Sequence, residues 1–133
     1  MQPHTRALIA AVAFVCITGK TVAGIYDHAQ KRDLRVAAQK QGDQVRGVDG
    51  ERDAKFGGTL PEIYDSGDKA FFSVEHDGAT VKGYDRHSSG FYSAQVVAGV
   101  VQVFDHSLGT WFSYDIQDAG AANAWHREGD IKL

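Results

Sequence analysis

One pattern occurs three times in this chain at a spacing of twenty residues, between Glu62 and Gln117. It reads Ile63-Tyr64-Asp65 to Phe71-Phe72-Ser73, then Gly83-Tyr84-Asp85 to Phe91-Tyr92-Ser93, then Val103-Phe104-Asp105 to Trp111-Phe112-Ser113. Each copy holds an aromatic-Asp pair, five linking residues, two aromatics and a serine. Val, Ile, Tyr, Phe and Trp suit a pleated, half-buried surface. The linkers are rich in Ser, Gly, Asp and His, as hairpin connections are. Between copies, Asp77-Gly78 and Ala98-Gly99 are turn signals. The pattern predicts six strands, near 60–65, 70–76, 79–85, 90–97, 100–105 and 110–117. Joined in sequence order they form an antiparallel meander, closed as a small barrel or arranged as a propeller-like sheet. The fold class is mainly β.

Strand alternation assigns the faces. Phe72, Val74, Tyr92, Ala94, Val96, Phe112, Tyr114 and Ile116 form the expected core side. Phe71, Phe91 and Trp111 fall on the polar side beside the loops, where they are candidates for a contact surface. A sheet left open would expose its edges to pairing, so closure, a covering helix or a partner is required.

The rest of the chain reads as appendages, giving three regions: 1–25, 26–58 and 59–133. In the first, Arg6 precedes an apolar run from Ala7 to Ile17. It reads either as a cleaved signal peptide with Thr21-Val22-Ala23 as the cleavage site, or as an uncleaved anchor from Ala7 to Tyr26. That span is about twenty residues, enough to cross a bilayer, with Lys20 snorkelling to the headgroups. Export would place the β-domain outside the cytoplasm, in the cleaved case as a secreted or periplasmic protein. For an uncleaved anchor, Lys20, Lys31, Arg32, Arg35 and Lys40 would hold it inside. Cys16, the single cysteine, reads as an apolar residue of this run.

Residues 26–56 carry seven basic and six acidic residues. Asp27 to Gln41 lacks Gly and Pro and contains good helix formers, which predicts a polar helical stalk. Gly42 would stop it, and 42–58 would be a glycine-containing linker. After Gln117, Ala119 to Ala122 reads as a loose connection, and Trp125 is expected to pack on the sheet or a partner. Ile131 to Leu133 could add a short strand.

Asp65, Asp85 and Asp105 hold equivalent positions, so a closed ring could converge them on a hard cation such as Ca²⁺. The competing role is an Asx-turn, in which the carboxylate accepts a backbone N–H two residues on. His76, His87, His106 and His126 show no zinc-ligand spacing. Ser73, Ser93 and Ser113 lie in no nucleophile elbow. No P-loop or dinucleotide fingerprint occurs, and no cofactor is implied. From Glu62 to Asp118 nine acidic residues face three basic ones, a balance that disfavours a nucleic-acid backbone.

The paired aromatics on twenty-residue hairpins, over residues 63–113, resemble the choline-binding repeats of cell-wall proteins, whose ligand sits between aromatics of adjacent hairpins. Those repeats are tryptophan-rich, whereas Trp111 is the one tryptophan in such a position here, and no site is carried over.

The functional expectation is a non-catalytic accessory or structural subunit, tethered to a membrane, that binds a protein partner within a larger assembly. Its interaction candidates are Phe71, Phe91, Trp111 and Trp125. The alternative is a secreted module binding a small ligand or glycan through aromatic side chains. A small hydrolase built on an Asp/His cluster comes third.

Overall fold

The computed structural model describes residues 1–118. Ten antiparallel strands close into a barrel around a helix, α1 (Pro3–Thr18). The strands are β1 (Val22–Asp27), β2 (Arg32–Leu34), β3 (Val36–Gln41), β4 (Gln44–Asp49), β5 (Ala54–Thr59) and β6 (Glu62–Asp65). They continue with β7 (Ala70–Ser73), β8 (Glu75–Asp77), β9 (Thr80–Asp85), β10 (Gly90–Val97), β11 (Val100–Asp105) and β12 (Thr110–Asp118). Around the ring the order is β1, β3, β4, β5, β6, β7, β9, β10, β11, β12, with β12 pairing back onto β1. The short β2 leads into β3 with a one-residue shift of register against β1, and β8 continues β7 past Val74.

The expected antiparallel β architecture is present, but with twelve strands among the described residues rather than six. The helical stalk and the linker are corrected. Residues 27–41 lie in β1 to β3 and their connections, and residues 44–59 form β4 and β5. Leu34, Val36 and Ala38 share the inner face at the period of a strand, with Arg35 and Gln39 exposed on the other face and Ala37 also buried. Gly42 is not a helix stop; it opens the two-residue turn between Gln41 and Gln44 at φ 62°. Similar turns join Asp77 to Thr80 and Val97 to Val100, with Gly78 and Ala98 at positive φ.

No helix among the described residues is long and apolar enough to cross a membrane. The helix has 16 residues, about 24 Å at 1.5 Å per residue, against roughly 30 Å of hydrocarbon. A helix apolar on every side needs an apolar surround, in a bilayer or in a protein core. Here the surround is the barrel: every residue from Thr5 to Cys16 is buried. The helix touches β1, β3, β8, β9, β10, β11 and β12. Strand side chains alone fill a barrel of about eight strands, so a ten-strand ring leaves room for this filling. Pro3 opens the helix, and Gly19, at φ 72°, closes it by donating its N–H to the Val15 carbonyl at 3.0 Å.

Candidate binding surface

Strand alternation places the functional side chains. In each hairpin an aspartate ends the first strand and points inward, so the residue before it points outward. Its cross-strand neighbour, the residue after the loop's far anchor, points outward too. Three such pairs are aromatic: Tyr64 with Phe71, Tyr84 with Phe91, and Phe104 with Trp111. Their ring centroids lie 4.9, 4.7 and 5.1 Å apart in tilted contacts. Tyr26 on β1 continues the row, packed edge-on against His28 at 5.0 Å. The result is an aromatic belt over β6, β7, β9, β10, β11, β12 and β1, at one level of the outer wall. Phe91 is 62% exposed, Trp111 51% and Phe71 41%. Below the belt the wall carries Ser73, Glu75, Lys82, Ser93, Gln95, Gln102 and Ser113, none of them buried. Trp125 lies outside the described residues.

Inside the barrel, at the belt's end, five aspartates line the mouth: Asp27, Asp49, Asp65, Asp85 and Asp105, none more than 3% exposed. Each accepts the backbone N–H two residues on, from Ala29, Glu51, Gly67, His87 and Ser107, at 2.9 to 3.2 Å. Four residues separate each aspartate from its paired residue across the loop, and the last of the four has positive φ (Lys31, Asp53, Lys69, Ser89, Gly109). The hairpin unit therefore occurs five times among the described residues, where the sequence showed three. Tyr26-Asp27 and Val48-Asp49 were the available signals for the first two copies. Uneven spacing and the missing second aromatic concealed them.

Cations meet three of these five, Asp49, Asp65 and Asp105. Arg52 reaches Asp49 at 2.7 Å, Asp65 at 2.9 Å and Asp68 at 3.5 Å. Burial works against the charge of Arg52, but the hydrogen bonds to Asp49 and Asp65 outweigh it and raise its pKa. The helix N-terminus enters the ring with its positive dipole end. The Met1 amine sits 3.6 Å from Asp105, and Arg6 Nη1 donates to the same carboxylate at 3.4 Å. The Arg6 guanidinium also lies 3.7 Å from the centroid of the Phe112 ring, a cation–π contact. Burial raises the Asp105 pKa, yet the Ser107 hydroxyl, the Met1 amine and the backbone N–H groups of Leu108 and Ser107 together hold it below its ordinary value. Asp68 is lowered in the same manner, burial being outweighed by the hydrogen bond from His4 and the charges of His4, Arg52 and His87.

Of the three aspartates considered for a cation, Asp65 lies with His4 and Asp68, their ligand atoms all within 4.8 Å of one another. Arg52 already places a positive charge between those two carboxylates. Asp85 and Asp105 belong to no such group among the described residues. His76 bonds the Gly78 carbonyl at 2.7 Å, from β8 rather than from a turn. His106 meets the Ser93 hydroxyl at 3.0 Å on the outer wall, and His126 lies outside the described residues. Ser73 accepts the Tyr84 N–H at 3.0 Å. Cys16 is buried within the plug, and that burial pushes its thiol up to about 11, which suppresses thiolate chemistry.

The fold defines a class by geometry: a helix-filled barrel of repeated hairpins with an aromatic outer belt. No family model matches the chain, and neither a curated protein nor a solved structure is significantly similar to it. The likeness to choline-binding repeats therefore stays at the level of paired aromatics.

Proposed function

We propose that this protein is a non-catalytic binding subunit that docks a protein partner through its aromatic belt. One observation carries the reading: six aromatics stand in cross-strand pairs on six neighbouring strands of the outer wall. Tyr, Trp and Phe provide much of the binding energy of protein interfaces, and clustered apolar surface on a soluble face marks interaction sites. The hairpin β4–β5 supports the assignment, because it makes the same aspartate loop with Val48 and Lys55 at the belt positions. The loop needs its aspartate; it does not need the aromatics.

The test is site-directed photo-crosslinking in the full chain. A photoreactive phenylalanine is placed at 91, 111 or 55 in turn, and adducts formed in the native host are identified by mass spectrometry. The proposal expects a common protein adduct from positions 91 and 111 that is absent from 55. Equal labelling at all three positions would overturn it.

A further inference from the structure

The belt is not uniform. Where β7 breaks at Val74 before β8, a cleft of about 550 Å³ opens on the outer wall beside Tyr84 and Phe91. The break leaves the Ser73 carbonyl off the regular ladder, and the Tyr92 hydroxyl donates to it from inside at 2.8 Å. Gly83 makes room for this arrangement: a Cβ there would be driven into the Ser73 carbonyl and would stand 2.7 Å from the Tyr92 ring.

The cleft combines two kinds of surface. Phe91, the most exposed aromatic of the belt, offers an open ring face steadied by Tyr84. Around it stand Glu75, Lys82, Ser93 and His106. Glu75 and Lys82 are cross-strand partners, so the charges of the lining cancel. An anion would meet Glu75, a cation would meet Lys82, and a purely apolar group would strip water from four polar side chains. A pyranose satisfies both surfaces. Its flat C–H face stacks on an aromatic ring, and its hydroxyls both donate and accept, matching a carboxylate, an ammonium, a hydroxyl and an imidazole.

We infer that the cleft beside Phe91 is a subsite for a neutral saccharide. The inference rests on the reading of the belt as a recognition surface and deepens it: one position on that surface takes a sugar. The saccharide could be free or carried on a protein, and the two sources share this chemistry.

The experiment is an amide-resolved NMR titration of the full-length protein. The probes are neutral methyl glycosides, then choline as a cationic comparator, then a glycoprotein before and after enzymatic deglycosylation. Expected are saturable shifts at residues 82–84 and 91–93 with a methyl glycoside, or with the glycoprotein only while its glycans are present. Phe91→Ala should weaken this binding about tenfold, the loss of a contact worth about 1.4 kcal/mol. Lys55→Ala, on the β4–β5 hairpin outside the belt, should leave it unchanged. Stronger shifts with choline than with any sugar would overturn the inference, as would glycoprotein binding that survives deglycosylation while the glycosides are silent. Silence from every probe would overturn it too. Belt-selective crosslinking with silent sugars sinks the saccharide alone, whereas unselective crosslinking sinks the belt reading beneath it.

Discussion

The hairpins β4–β5 and β9–β10 share a backbone and differ in dress. Both end their first strand with a buried aspartate, both run through a four-residue loop closed at positive φ, and both pair a glycine with an inward aromatic across the strands. Gly47 faces Phe56, and Gly83 faces Tyr92. In both cases a Cβ on the glycine would collide with the partner ring. On the outside they part: Val48 and Lys55 on one, Tyr84 and Phe91 on the other. The shared features are those the fold requires. The unshared ones are left free by the fold, which is why the proposed binding role is assigned to them.

The separation can be broken at its structural end first. Arg52, contributed by the loop after β4, neutralises carboxylates from two hairpins. Arg52→Ala leaves Asp49 and Asp65 buried without their partner and should cost about 3–5 kcal/mol, the usual penalty for orphaning a buried charge. Urea unfolding measures it; a loss within experimental error would mean that the ring is solvated and does not hold the hairpins together.

Gly47→Ala and Gly83→Ala test the equivalence of the two hairpins. Gly47→Ala drives a Cβ into the Phe56 ring, and Gly83→Ala drives one into the Ser73 carbonyl and the Tyr92 ring; each should cost about 1–3 kcal/mol, as overpacking does. If one is costly and the other neutral, the two units are not the same device, and the comparison weakens.

The acid limb of stability sharpens the picture further. Asp68 and Asp105 are held below their ordinary range, while the unfolded chain titrates near the usual value of about 3.9. Their contribution is fully present above that pH and is lost as pH falls through the lower folded values, because the unfolded state then takes up protons first. Unfolding free energy followed from neutral pH down to about pH 2 should fall in this window. Asp105→Asn should be less stable at neutral pH and show a shallower acid limb. An unchanged limb would remove Asp105 from the account.

What could be read from residues alone follows the same division. Strands after Glu62 were legible because alternation, turn residues and repetition agree there. The core faces of β7, β10 and β12 were legible for the same reason, as were the outward positions of Phe71, Phe91 and Trp111. Residues 27–41 imitate an exposed helix because their outward positions carry Asp33, Gln39 and other polar residues, which dilute the strand period, and the glycines at 42, 47, 50, 57 and 58 imitate a linker. The apolar helix carries no local mark that distinguishes a barrel plug from a bilayer span, because either apolar surround suits the same residues. Arg6 meets Asp105 across 99 residues and Arg52 meets Asp65 across 13, so no spacing rule pairs them; only the contact of Arg52 with Asp49 is local.

Stripping the belt tests the whole scheme. In a variant carrying Phe91→Thr and Trp111→Thr, both strands keep a β-branched residue, and two aromatic pairs worth about 0.5–1.5 kcal/mol each are lost. Urea unfolding should show a folded barrel weakened by no more than about 3 kcal/mol, the upper sum of those two pairs. Failure to fold, or a loss well beyond that of Arg52→Ala, would show that the aromatics hold the barrel together and are not there to meet a partner.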